Sequence, residues 1–149
     1  MNENNVIKLY NEILREVEKI LGNGITFSTD LERVGKQLLG TKFKGVYASD
    51  KIPKLNHTNP YCIANVDNSH QLGSHWVALV KSGRNIVVYD SFGRKTSKLI
   101  PNVRLSGNGK IIDTEHDREQ RIKQENCGQR SLAFLVFYDK YGKDMSLMI

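Results

Sequence analysis

The sequence predicts an α+β fold: a central, mostly antiparallel or mixed sheet flanked by helices, with a candidate nucleophile at the N-terminus of one helix. Three observations predict it. Apolar residues recur at helical spacing near both ends of the chain. Two strand patterns, 75–80 and 85–90, lie side by side with a hairpin signal between them. Polar residues ending in Asn126-Cys127-Gly128 run directly into the last apolar helical stretch.

The elements follow in order. Val6, Leu9, Ile13, Val17, Ile20 and Leu21 mark one face of a first helix, ended by Gly22-Asn-Gly24. Thr29-Asp-Leu-Glu32 has the capping-box pattern and predicts a second helix through Leu38, stopped at Gly40. Phe43–Ala48 reads as extended, and Tyr61–Val66 as a strand beyond Pro53 and Pro60. His75–Val80 and Asn85–Asp90 form the hairpin around Lys81-Ser-Gly-Arg84. A basic, polar segment from Ser91 to Lys110 is expected to hold one weak strand near Val103. The last helix is expected over Cys127–Tyr141, with Leu132, Leu135, Val136 and Tyr138 as apolar positions and Gly142 as its stop. No repeat, linker or low-complexity tract divides the 149 residues, which predicts a single domain over 1–149.

Composition narrows the class. Hydrophobic residues make up 39% and charged residues 26%, the balance of a soluble globular chain. No apolar run approaches the roughly 20 residues of a membrane span. The opening stretch MNENNVIKLYNEIL lacks the basic-then-apolar layout of a secretory signal, which predicts an intracellular, non-secreted protein. With two cysteines, four histidines, no CxxC and no HxxxH, neither a disulfide scaffold nor a zinc site is expected, and no cofactor is implied. The net charge of +6 favours acidic partners such as nucleic acid. Arg94, Lys95, Lys98, Arg104 and Lys110 fall in a stretch without Asp or Glu, able to meet phosphates or simply to face solvent.

The hairpin carries the first chemical inference. An even turn pairing Val80 with Asn85 sets His75 directly opposite Asp90 on the same sheet face. Cross-strand partners have Cβ atoms about 4.5–5.5 Å apart, close enough for an imidazole–carboxylate bond. Such a bond fixes the ring's tautomer and stabilises its protonated form. Val77, Leu79, Ile86 and Val88 share that face, and Trp76, Ala78, Val87 and Tyr89 fill the other, as in a hairpin covered on both sides.

The second inference concerns Cys127. A helix N-terminus presents backbone N–H groups and partial positive charge, which favour a thiolate and can meet an oxyanion. Gly128 is expected to let a substrate backbone approach. A glutamine from Gln120 to Gln124 is expected to add a side-chain donor. Cys62, inside the apolar run 61–66, fits a buried packing role instead. His75, Asp90 and Cys127 together form a set suited to acyl transfer.

Gly73-Ser-His75-Trp76-Val-Ala-Leu, Val88-Tyr-Asp90-Ser-Phe-Gly93 and Asn126-Cys127-Gly128-Gln129 give this chain its resemblance to the adenain-like and Ulp1-like cysteine peptidases, which run His, acid, Cys in chain order. Phe43-Lys-Gly-Val-Tyr-Ala-Ser-Asp50-Lys-Ile-Pro53 is similar to a segment that precedes the histidine strand in adenain, so the resemblance spans about residues 26–142. It looks closest to the compact maturation proteases of adenoviruses, virophages and Polinton-type elements. The resemblance implies a monomeric cysteine endopeptidase that cleaves capsid and core precursors after small residues, in the virion and the infected cell. It also implies stimulation by DNA and by a small peptide. The acid is aspartate, as in Ulp1, where adenain has glutamate. Gln120 stands seven residues before the cysteine, as in adenain, and Gln124 three before; Gln120 is the favoured helper. Two alternatives remain: a protease or isopeptidase for ubiquitin-like modifiers, and a non-enzymatic DNA- or capsid-associated module.

Overall fold

Val6, Tyr10, Leu14 and Val17, spaced four, four and three residues apart, bury one stripe of the first helix, α1 (Glu3–Leu21). The stripe is rotated from the expected one: Leu9 and Ile13 are only partly buried and Ile20 is exposed. Asn2 caps the helix by accepting the Asn5 N–H at 2.9 Å. The computed structural model from which these positions come describes residues 2–66, 75–94, 96, 99–101, 103–114 and 126–149.

The second helix, α2 (Ser28–Leu39), starts one residue before Thr29, with Phe27 at its N-cap and no side-chain cap bond. The capping box is therefore not formed, because Thr29 already lies inside the first turn. A short 3₁₀ turn (Gly40–Lys42) leads into β1 (Phe43–Ala48), followed by β2 (Tyr61–Asn65), β3 (Trp76–Ser82), β4 (Asn85–Tyr89) and β5 (Ile111–Asp113). Among the described residues near Val103 no strand forms where one is expected. Val103 instead packs as a loop residue, with its N–H bonded to the Ile100 carbonyl at 3.2 Å. β5 is three half-buried residues long, too short for a period-two pattern to reveal. The last helices are α3 (Cys127–Tyr141) and α4 (Lys143–Ser146); α3 matches its expected span and α4 was not anticipated.

The strands form one mixed sheet in the order β1-β2-β3-β4-β5. β1 and β2 pair in parallel, as do β4 and β5, while the β2–β3 and β3–β4 pairs are antiparallel. One face carries Ile63, Trp76, Ala78, Val80, Val87 and Tyr89 and packs with the apolar residues of α1, α2 and α3. The other carries Cys62, Ala64, Val77, Leu79, Ile86 and Val88 and is covered by Ile52, Leu55 and Ile100 from non-helical segments. Both faces of the hairpin are thus buried, as its two-sided apolar pattern predicts. Among the described residues, no helix is long and apolar enough to cross a membrane.

The hairpin register differs from expectation by two residues. Ser82 pairs with Asn85 and Ala78 with Tyr89, so Val80 faces Val87 rather than Asn85. β3 continues two residues further than its apolar pattern, and the turn is Gly83-Arg84, with Gly83 at φ 58°. A primed two-residue turn needs a positive φ at that first position. An even slip keeps every side chain on its own face, so His75 and Asp90 still lie together, now as diagonal rather than direct neighbours.

Candidate active site

β3 begins one residue after His75 and β4 ends one residue before Asp90, so both sit just past the ladder at one end of the sheet. Diagonal positions are about 7–8 Å apart at the backbone, a gap that an imidazole can bridge. It does: His75 Nε2 lies 2.6 Å from Asp90 Oδ1, with both side chains almost fully buried. The Cys127 side chain bonds to the same imidazole.

Four contacts bring α3 to this end of the sheet. Ser131 Oγ, one turn after Cys127, donates to the Trp76 carbonyl at 3.0 Å. Tyr10 on α1 donates its hydroxyl to the Arg130 carbonyl at 3.1 Å and shares a 2.8 Å hydrogen bond with the Tyr89 hydroxyl. The Tyr89 ring stacks on Phe134 with centroids 4.7 Å apart. One tyrosine thereby ties the residue before Asp90 to the first turn of the cysteine helix. Gln129 anchors the same turn from the other side, donating Nε2 to the carbonyls of Gly22 and Gly24, each at 2.8 Å.

A tight turn builds the acid side. The Gly93 N–H bonds to the Asp90 carbonyl at 2.8 Å, with Gly93 at φ 69°, a value unfavourable to any residue with a Cβ. Inside that turn Asp90 Oδ1 also accepts the Phe92 N–H at 3.0 Å, an Asx turn. The Phe92 ring is swung against His75, with centroids 4.5 Å apart and planes at 22°. Arg94 returns to Asp90, donating Nε to Oδ2 at 2.7 Å.

These contacts set the charges. Burial pushes the Asp90 carboxyl up, but the bonds from His75, Arg94 and the Phe92 N–H outweigh it and hold the pKa below the usual 3.8. Burial likewise disfavours a charged His75, but the bonds to Asp90 and then Cys127 raise the ring from 6.5 to about 8. The imidazole therefore carries its proton at neutral pH. Cys62 lies fully buried among apolar neighbours, and burial pushes its thiol up from 9.0 to about 12, against a smaller opposite pull from Lys44. That thiol packs the sheet, the role its sequence neighbours suggested.

His75, Asp90 and Cys127 are thus brought together, and Cys127 is the first residue of α3. Gln120 and Gln124 lie outside the described residues. Gly128 has a different role from the one expected: a Cβ there would come 2.2 Å from Thr26 Oγ1 and 3.1 Å from Leu31 Cδ1. Its missing side chain admits the α1–α2 connection and α2, not open space for a substrate. Of the five cations in the basic stretch, Arg94 is engaged with Asp90, and Lys95 and Lys98 lie outside the described residues. Sequence reasoning missed Phe92, Arg94 and Tyr10. The Ser-Phe-Gly turn signal after Asp90 could have indicated that residue 94 folds back, whereas nothing local marks Tyr10.

No family model matches the chain, and no curated protein matches its sequence.

Proposed function

We infer that this chain is a cysteine endopeptidase of the adenain type, with Cys127 as nucleophile, His75 as acid and base, and Asp90 as the group that orients the histidine. One observation carries the reading: a single buried imidazole is bonded to Asp90 through Nε2 and also to the Cys127 side chain at the start of a helix. With Nε2 occupied, Nδ1 is the ring nitrogen left for sulfur.

The chemistry runs through a thioester. The Cys127 thiolate attacks the scissile carbonyl while His75 holds the proton. First-turn amides of α3 and the Gln120 or Gln124 side chain meet the oxyanion, an interaction whose loss costs on the order of 10²–10³ in rate. His75 protonates the nitrogen as the C–N bond breaks, and the amine leaves. Water then attacks the thioester with His75 as base, releasing the acid and restoring the thiol.

The substrate assignment rests on the motifs around His75, Asp90 and Cys127, which resemble viral maturation proteases: capsid and core precursors, cut during assembly in the virion and the infected cell. Cys127→Ala is expected to abolish cleavage of a peptide spanning a precursor junction. Cleavage at an unchanged rate by that variant would remove Cys127 from the reaction. The aspartate at position 90 favours a second reading, a protease for ubiquitin-like modifiers. Activated modifier probes decide between the two, because only a modifier protease would be trapped by them through Cys127.

A further inference from the structure

Asp90 Oδ1 already has two donors, His75 Nε2 at 2.6 Å and the Phe92 N–H at 3.0 Å. The other oxygen, Oδ2, receives Arg94 Nε at 2.7 Å. The carboxylate is 1% exposed, whereas the Arg94 side chain is 43% exposed, so a surface cation reaches inward to a buried anion. The same guanidinium lies 5.4 Å from the centroid of the Phe92 ring, and that ring stacks on His75. Arg94 therefore touches both groups that border the imidazole on its acid side. It belonged to the basic stretch read above as a candidate phosphate contact, but its Nε is turned to the site.

We propose that Arg94 is a positioning residue that clamps Asp90 and Phe92 against His75 and takes up part of the Asp90 charge, so that the imidazole can release its proton in the reaction. The inference rests on the cysteine-peptidase reading for its purpose, though not for its geometry. The physical argument is electrostatic. A buried carboxylate facing a lone imidazole holds that ring's proton tightly, because an opposite charge within about 4–6 Å favours the charged form. A second cation on the far oxygen offsets part of that attraction, and guanidinium suits the task because it stays charged and its planar fork fixes direction. Among the described residues, the charged and titratable groups facing His75 are Asp90 and Cys127, with Arg94 acting through Asp90.

The test is the titration of His75, followed by imidazole NMR in the full chain and assigned by its loss in His75→Asn. In Arg94→Met, which keeps an apolar stem beside Phe92, the midpoint is expected to rise by roughly half a unit or more. Arg94→Gln, a second neutral variant, is expected to do the same, and Arg94→Lys to return most of the shift. A midpoint that is unchanged or lower in the folded neutral variants overturns the proposal, even if they have lost thermal stability. The two readings fail separately. A shifted midpoint in a chain that cleaves no precursor peptide keeps Arg94 and removes the peptidase. Normal precursor cleavage with an unmoved midpoint does the reverse.

Discussion

Two cysteines in one chain experience opposite surroundings. Cys62 is the second residue of β2, opposite Leu79 and in one apolar cluster with Val77, with its thiol pushed up to about 12. Cys127 opens a helix and touches a protonated imidazole. Thiolate is the reacting form, so at neutral pH a small alkylating reagent is expected to label Cys127 and spare Cys62, as read by mass spectrometry of the digested protein. Equal, slow labelling of both would contradict the peptidase reading and favour a silent binding module. The contrast was legible in the sequence, because Tyr61, Ile63, Ala64 and Val66 surround Cys62 and polar residues lead into Cys127. The bond between Cys127 and His75 was not, since 52 positions separate them and no local rule sets that distance.

At the scale of elements, α3 is the piece whose placement decides the site. Nine of its first eleven residues are buried, including Cys127 through Gln129, so the helix is wedged between the sheet and the other helices. Its entry is tight: Gly128 faces Thr26 and Leu31 with no room for a methyl group. Gly128→Ala is expected to destabilise the protein by about 1–3 kcal/mol, the usual cost of overpacking, measured by urea denaturation. Thr26→Ala should recover part of that loss in the double variant, because it removes the closest atom; strictly additive effects would show that the two sites do not touch. The span of α3 followed from its apolar run and Gly142. The reason for Gly128 did not, because a close approach between distant segments leaves the same single letter as a substrate-binding glycine. The hairpin teaches a similar lesson. Its existence and its faces followed from alternation, but its register depended on where β3 stopped, and Lys81 and Ser82 are polar residues that continue a strand.

For the whole molecule, the buried His75–Asp90 pair links stability to pH from both sides. His75 has a folded pKa raised from 6.5 to about 8, so its contribution is complete below about 6.5 and is lost as pH rises through about 8. Asp90 has a folded pKa held below 3.8, so its contribution is present above that value and is lost as pH falls through the depressed one. Stability from this pair is therefore greatest from about pH 4 to 6.5. Relative to His75→Asn, the wild-type advantage is expected to shrink by on the order of 1–2 kcal/mol between pH 6 and pH 9, by denaturant melts at each pH. An advantage that stays level across that range would mean the imidazole is not charged in the folded state.

The sequence by itself determined the α+β class, the two-sided hairpin, the helix that begins at Cys127 and the shared face of His75 and Asp90. Each is a local matter of periodicity, and an even slip of register leaves faces intact. Only the tertiary structure decided the meeting of Cys127 with His75, the return of Arg94 to Asp90, the tether from Tyr10 and the packing reason for Gly128. Those contacts join segments far apart in the chain or folded back through a turn, and their geometry depends on how the helices settle on the sheet.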